Sequence, residues 1–361
     1  EITRSLEWLQ SDRSDRKLAA VLVLSELAKS SPTAFYSKTN TSSTHSGGRG
    51  GSMGVLASYL DGLGLSGTNE FLDNIFPVLM DPHPIVRVSA ADALSECLKI
   101  LMDRQHRSMT APLCKLHSQM MDGLQWTPGG KVNDGEEKFK ERDNAIKAHG
   151  SLLVVTEMLN HSRNFILPRF DEVCTAVLKF TRHPMALIRL ELIRIIPQLA
   201  RRNPDVFGCR YLCQSLDFLL ASAATSPPQK SGIDLRPKAF LAIGQLASGM
   251  SDDEMGGGDI TIPTVRIFDK PKSVVEGEDV DGDAMEYHIV ELEDESVFQQ
   301  RLGDIFNLIS ESLKRNRLAS LGNVANYRSD ILICFANMVE ALGQHATPYV
   351  RGIVEDMFRS G

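Results

Sequence analysis

The stretch that most constrains this chain is Phe71 to Leu94, because prolines and an aspartate divide it into two apolar helices that must fold back on each other. Apolar Phe71, Leu72, Ile75, Phe76, Leu79 and Met80 recur at helical spacing. Asp81-Pro82 and Pro84 then stop that helix, since proline lacks an amide hydrogen and crowds the preceding turn. Pro84 suits the first position of a second helix. That helix presents Val86, Ala90 and Leu94 on one stripe, with small Ala90 and Ala91 where a neighbouring helix must approach closely.

The pattern returns along the chain, as a repeat architecture requires. With Arg87 as marker near the start of the second helix, equivalent basic positions are Lys17, Lys147, Arg189, Arg236 and Arg328, each followed by an apolar helix. Three of those helices close on the same ending: Glu26-Leu-Ala28, Gln198-Leu-Ala200 and Gln245-Leu-Ala247. The markers stand 70, 60, 42, 47 and 92 residues apart, against a period of roughly 40 to 47 for HEAT repeats. The long spacings coincide with insertions at 37–67 (Ser/Thr/Gly-rich), 126–137 (Gly- and Pro-containing) and 251–295 (acidic and Gly-rich). The expected fold is therefore all-α, an α-solenoid of six to seven HEAT-type hairpins with long loop insertions. The hairpins fall at about 1–36, 69–102, 109–160, 168–203, 205–250 and 297–343, with a half repeat at 347–359.

In such arrays the turn aspartate and the helix arginine, here Asp81 and Arg87, bond between neighbouring turns and fix the stacking angle. With Lys17, Ala90, Lys147, Arg189, Arg236 and Arg328 they are the expected stacking positions. The fourth hairpin has His183 where the second has Asp81, so Arg189 is expected to find its partner elsewhere and the stack to bend there.

Several function classes lose support. No run of about 18 apolar residues is present to span a membrane, and no basic-then-apolar signal opens the chain. A net charge of −7 disfavours nonspecific nucleic-acid binding. Six cysteines form no CxxC pair with zinc-type spacing and read as reduced thiols. Gly47 to Gly51 lacks the strand and Gly-Lys-Ser/Thr of a phosphate loop. Asp279, Asp281 and Asp283 alternate, but the rest of a calcium-loop frame does not follow. His149 reads as a packing or surface histidine. No catalytic, cofactor or metal residue is assigned. Arg189, Arg194, Arg201 and Arg202 could form a basic face; Arg194 and Arg201 are the candidate partner-binding residues, with solvated helix surface the competing reading.

Ser5-Leu-Glu-Trp-Leu-Gln-Ser-Asp-Arg13, Lys17 to Tyr36, Phe71-Leu-Asp-Asn-Ile-Phe76 and His149 to Leu159 resemble, in that order, the N-terminal HEAT region of the target of rapamycin (TOR) kinases, phosphatidylinositol-3-kinase-related enzymes. The resemblance implies a non-catalytic scaffold and docking segment of a serine/threonine protein kinase in nutrient-dependent growth control. ATP and magnesium would belong to a kinase domain elsewhere, since the Gly-rich loop, His-Arg-Asp and Asp-Phe-Gly motifs are absent here. Implied partners are a Raptor-like companion subunit, other parts of the same kinase, its second copy in a dimeric complex, and a small GTPase. The implied location is cytoplasmic, with peripheral association at lysosomal or vacuolar membranes. Neither end looks capped, which reads as a segment of a longer superhelix. The alternative is a free-standing HEAT adaptor such as a nuclear-transport receptor, a phosphatase scaffold or a tubulin-binding array.

Overall fold

The computed structural model describes residues 1–41, 68–104, 110–125, 135–225, 232–250, 301–319 and 327–359. Most of the three expected insertions, with the extended stretch expected at 261–268, the glycines 47–51 and the aspartates 279, 281 and 283, lies outside them.

The fold is an all-α solenoid of helical hairpins in two layers. The first helices are α1 (Ile2–Leu9), α4 (Glu70–Leu79), α6 (Thr110–Gly123), α9 (Phe170–Leu178), α12 (Leu212–Ala224) and α14 (Leu302–Ala319). Their partners are α2 (Ser14–Ser30), α5 (Pro84–Arg104), α7 (Gly135–His161), α10 (Ala186–Arg202), α13 (Arg236–Met250) and α15 (Arg328–Leu342). Each partner helix packs on the next in that order, and this row is the spine of the stack. In the outer layer α1, α4 and α6 touch in sequence, as do α12, α14 and a final helix, α16 (Thr347–Arg359). The connecting helices are α3 (Pro32–Thr39), α8 (Arg163–Ile166) and α11 (Pro204–Arg210).

Local chemistry explains where the helices start and stop. Asn69 caps α4 by accepting from the Leu72 amide at 3.0 Å, and Pro84 opens α5. Gly343 ends α15 with φ of 51°, a left-handed conformation that favours glycine. Pro77 and Pro197 lie inside α4 and α10 without ending them. Pro197 is buried among flanking Ile195, Ile196 and Leu199, whose burial is worth about 1.5 to 3 kcal/mol each and outweighs one lost backbone bond.

Two segments differ from the sequence expectation. The Ser/Thr-rich insertion begins later than residue 37: α3 runs to Thr39, and Asn40–Thr41 pairs antiparallel with Thr68–Asn69. Thr39 Oγ1 donates to the Phe35 carbonyl at 3.0 Å, and Phe35 packs edge-on against Phe71 at 5.7 Å. The stretch from Val206 to Ala223 reads as one helix but breaks at Tyr211 into α11 and α12. The break lets the Tyr211 hydroxyl donate to Asp171 Oδ1 at 3.0 Å, beside the Arg210–Asp171 ion pair at 2.7 Å.

Small residues set how closely the layers approach. Ala90 is fully buried on α5. Gly150 brings α7 against the end of α4, so that an added Cβ would collide with the Leu79 carbonyl oxygen and lie 2.9 Å from its carbon. Gly244 does the same on α13, 2.9 Å from the Cα of Cys334 on α15. Gly150→Ala should therefore destabilise the fold by about 3 kcal/mol, since a backbone carbonyl cannot turn aside. Gly352→Ala, with no atom within 4 Å, should stabilise by about 0.5 to 1 kcal/mol. Urea unfolding midpoints test the pair, and equal midpoints would contradict the packing account.

Candidate docking surface and its stacking seam

Four of the turns between paired helices, those before α2, α5, α10 and α13, share one backbone device. The Arg13 amide donates to Ser11 Oγ at 3.3 Å, the His83 amide to Asp81 Oδ1 at 2.9 Å, the Met185 amide to His183 Nδ1 at 3.2 Å, and the Arg236 amide to Asp234 Oδ1 at 3.1 Å. A short acceptor two residues ahead of an orphan amide is the common requirement, and serine, aspartate and histidine all meet it.

Arginine six residues past that acceptor closes the turn from the other side. Arg87 Nη1 donates to the carbonyls of Asp81 at 2.6 Å and Pro82 at 3.1 Å, and Arg189 Nη1 to those of His183 at 3.0 Å and Pro184 at 3.5 Å. The partner of Arg189 is thus the turn itself and not a group elsewhere. Its bond is to backbone, so replacing Asp81 by His183 at the equivalent place costs it nothing.

The Asp81 carboxylate is spent on the preceding hairpin. It accepts from Ser14 Oγ at 2.9 and 3.0 Å and from Lys17 Nζ at 3.4 Å. Arg87 reaches the other way, donating from Nε to His149 Nδ1 on α7 at 3.0 Å. Asp81, Arg87 and His149 are 1 %, 3 % and 1 % exposed, so this is a buried polar seam through three hairpins. Burial pushes the Arg87 guanidinium below its ordinary range, against the pull of Asp81. Burial, and then the charges of Arg87 and Arg194, push the His149 imidazole down to about 3. With Nδ1 accepting from Arg87, Nε2 carries the hydrogen of the neutral ring and, buried, meets no acceptor among the described residues.

The remaining marker positions are not equivalent to these. Lys17, Arg87 and Arg189 each stand fourth in their helices, whereas Arg236 and Arg328 stand first and Lys147 lies exposed in the middle of α7. Arg236 makes a two-pronged pair with Asp234 at 2.9 and 2.7 Å, and its guanidinium lies 4.7 Å over the ring of Tyr327, at the start of α15. It links the fifth and sixth hairpins by a cation–ring contact instead of a seam aspartate. Arg328 donates to the Met357 carbonyl of α16 at 3.2 Å. The signal for Arg236 in the sequence is Asp234 two residues before it.

The two candidate docking arginines differ. Arg194 is half exposed and pairs at 2.8 Å with Glu191, whose carboxyl is buried. Burial raises Glu191 above the ordinary carboxylate range while Arg194 pulls it back, so Arg194 is part of the structure. Arg201 is exposed, with its stem lying over Gly249 of α13, where an added Cβ would come 2.7 Å from Arg201 Cγ. Cys97, Cys174 and Cys334 are buried free thiols, and Cys114, Cys209 and Cys213 are exposed ones. Among the described residues no cluster of metal-ligating side chains occurs, and no helix is long and apolar enough to cross a membrane.

The depressed pKa of His149 gives a pH signature. Unfolded, the imidazole takes a proton near pH 6.5; folded, only near 3. The unfolded state therefore binds more protons between those values, and stability is full above 6.5 and falls as pH drops toward 3, by at most about 1.4 kcal/mol per pH unit. His149→Gln keeps an acceptor for Arg87 but cannot titrate. The stability difference between wild type and this variant, from urea unfolding at pH 7, 6, 5 and 4, should shift steadily in favour of the variant on acidification. A constant difference would contradict the buried neutral ring.

No protein-family model matches the chain. It is 28 % identical over 254 residues to the serine/threonine-protein kinase tor1 of Schizosaccharomyces pombe, covering 70 % of this chain and 9 % of that protein. It is 26 % identical over 255 residues to the serine/threonine-protein kinase TOR of Arabidopsis thaliana, covering 70 % and 8 %. With TOR2 of Saccharomyces cerevisiae it shares 23 % over 256 residues, covering 68 % and 8 %. Among solved structures, an engineered protein aligns over 94 % of this chain and 97 % of its own at 10 % identity and a TM-score of 0.40, too low to bear on the fold. The chain thus spans less than a tenth of the length of these relatives. By sequence it is similar to one stretch of the target of rapamycin serine/threonine-protein kinases.

Proposed function

We propose that this chain is a non-catalytic scaffold and protein-docking segment of a TOR-type serine/threonine protein kinase acting in nutrient-dependent control of cell growth, and that it contacts a Raptor-like companion subunit. The observation that carries the reading is the match to kinases of yeasts and a plant, each over about 70 % of this chain and under a tenth of the kinase. A stacked array suits docking because specific interfaces need roughly 1,200 to 2,000 Å² of buried surface, and a solenoid offers a long continuous face. In this reading ATP and magnesium are held by a separate kinase domain. Further partners are other parts of the same kinase, its second copy in a dimeric complex, and a small GTPase. The place of action is the cytoplasm, with peripheral association at lysosomal or vacuolar membranes through the assembled complex.

Retention of purified Raptor-like companion on the immobilised 361-residue chain tests the docking role. Retention at micromolar concentration is expected, and none would contradict it. Arg201→Glu tests the basic face separately, and is preferable to reversal at Arg194, which would leave the buried Glu191 carboxylate beside a second acid. Weakened retention is expected with Arg201→Glu; unchanged retention would remove the basic face and leave the docking role standing.

A further inference from the structure

Between α2 and α5 lies a groove of about 270 Å³, lined by Ser25, Glu26 and Lys29 from the first and by Asp92 and Glu96 from the second, with Leu22 at its edge. Its polar groups are poorly matched within the chain. Glu96 is held by Lys99 at 2.7 Å, but Glu26 and Asp92 have no cation within salt-bridge distance among the described residues. Lys29 is the one cation in the lining and lies too far from either to pair with it. Burial, together with Glu157 of α7 and Glu96, raises Asp92 above the ordinary carboxylate range in spite of Lys29. In its lining, Ser25 is only 7 % exposed, and its hydroxyl forms no hydrogen bond among the described residues, whereas Ser30 five residues on bonds back to the Glu26 carbonyl at 2.8 Å. That hydroxyl opens into the groove, where a group entering from outside can bond to it. Leu22, at 54 % exposure, supplies an apolar wall beside these groups.

We propose that the α2/α5 groove is a docking site for an arginine-bearing segment of a partner protein. The chemistry selects that occupant. A guanidinium presents several donors in one plane and can meet two carboxylates and a hydroxyl at once, where an ammonium acts as a point charge. Its methylene stem would lie along Leu22, covering apolar surface while the head reaches the acids. The inference rests on the groove and not on kinship, so it stands or falls apart from the companion-subunit reading.

The test is fluorescence anisotropy of the whole chain with a fluorescein-labelled twelve-residue peptide carrying arginine at every fourth position among alanines. A twin with citrulline, uncharged but of the same shape, is the control. Saturable binding of the arginine peptide alone is expected. Asp92→Asn and Glu26→Gln should each weaken it by about tenfold, the loss of one charge-assisted hydrogen bond, while Asp205→Asn on α11 should leave it unchanged. Carbodiimide footprinting of the wild type, which needs no variant to fold, should show Glu26 and Asp92 protected by the peptide. Absent saturation, equal binding of the citrulline twin, equal weakening by Asp205→Asn, or unprotected Glu26 and Asp92 would each overturn the proposal.

Discussion

A guanidinium withdrawn from water has to be met on every side, and the way Arg87 is met ties three hairpins into one body. Its own turn offers two carbonyls, the third hairpin offers the neutral ring of His149, and the compensating charge of Asp81 is itself held by Ser14 and Lys17 of the first. Apolar burial supplies most of the stabilisation in such an array, but burial has no direction. Close approaches such as Gly150 against the Leu79 carbonyl already resist sliding, and polar contacts add a directional constraint of their own. A buried polar group left unpaired costs about 1 to 3 kcal/mol, so the seam penalises every register but one. On this account, the first three hairpins keep their register through a few hydrogen bonds at their turns together with the close approach at Gly150.

Much of the architecture was legible because a solenoid repeats its constraints. Pro82 and Pro84 mark a turn, Ala90 marks a close approach, and the row of second helices follows in order. The polar detail was less legible, for a definite reason. The spacing of Asp81 and Arg87 drew attention to the right residues, yet the bonds run from side chain to backbone and to the hairpins on either side. A carbonyl acceptor has no sequence signature, so His183 looked like a missing partner for Arg189 when the backbone beneath it serves equally well. His149 looked unremarkable because its role comes from α5, 62 residues away. Arg236 matches Arg87 in charge and in the apolar helix that follows it. Register against the turn separates them, and its partner Tyr327 lies 91 residues on, beyond any local pattern.

The same separation explains why docking residues are the hardest to read. Arg194 and Arg201 carry the same charge on the same helix, yet one neutralises a buried carboxylate and the other lies over a glycine with its head in water. Only the first is required by the fold. The α2/α5 groove makes the complementary point: Glu26 and Asp92 are scattered acids in the sequence and become neighbours only when two hairpins set them beside Ser25. In an array, functional chemistry is assembled across repeats, and stacking precedes recognition.

The claim that the turn seam locks neighbouring hairpins is tested most directly by native-state amide exchange on Asp81→Asn. Asparagine keeps the acceptor for the His83 amide but removes the charge that Lys17 and Arg87 share. If the seam couples the stack, protection should fall together in α2, α5 and α7, with α13 and α15 unchanged. A loss confined to the turn between α4 and α5 would contradict it.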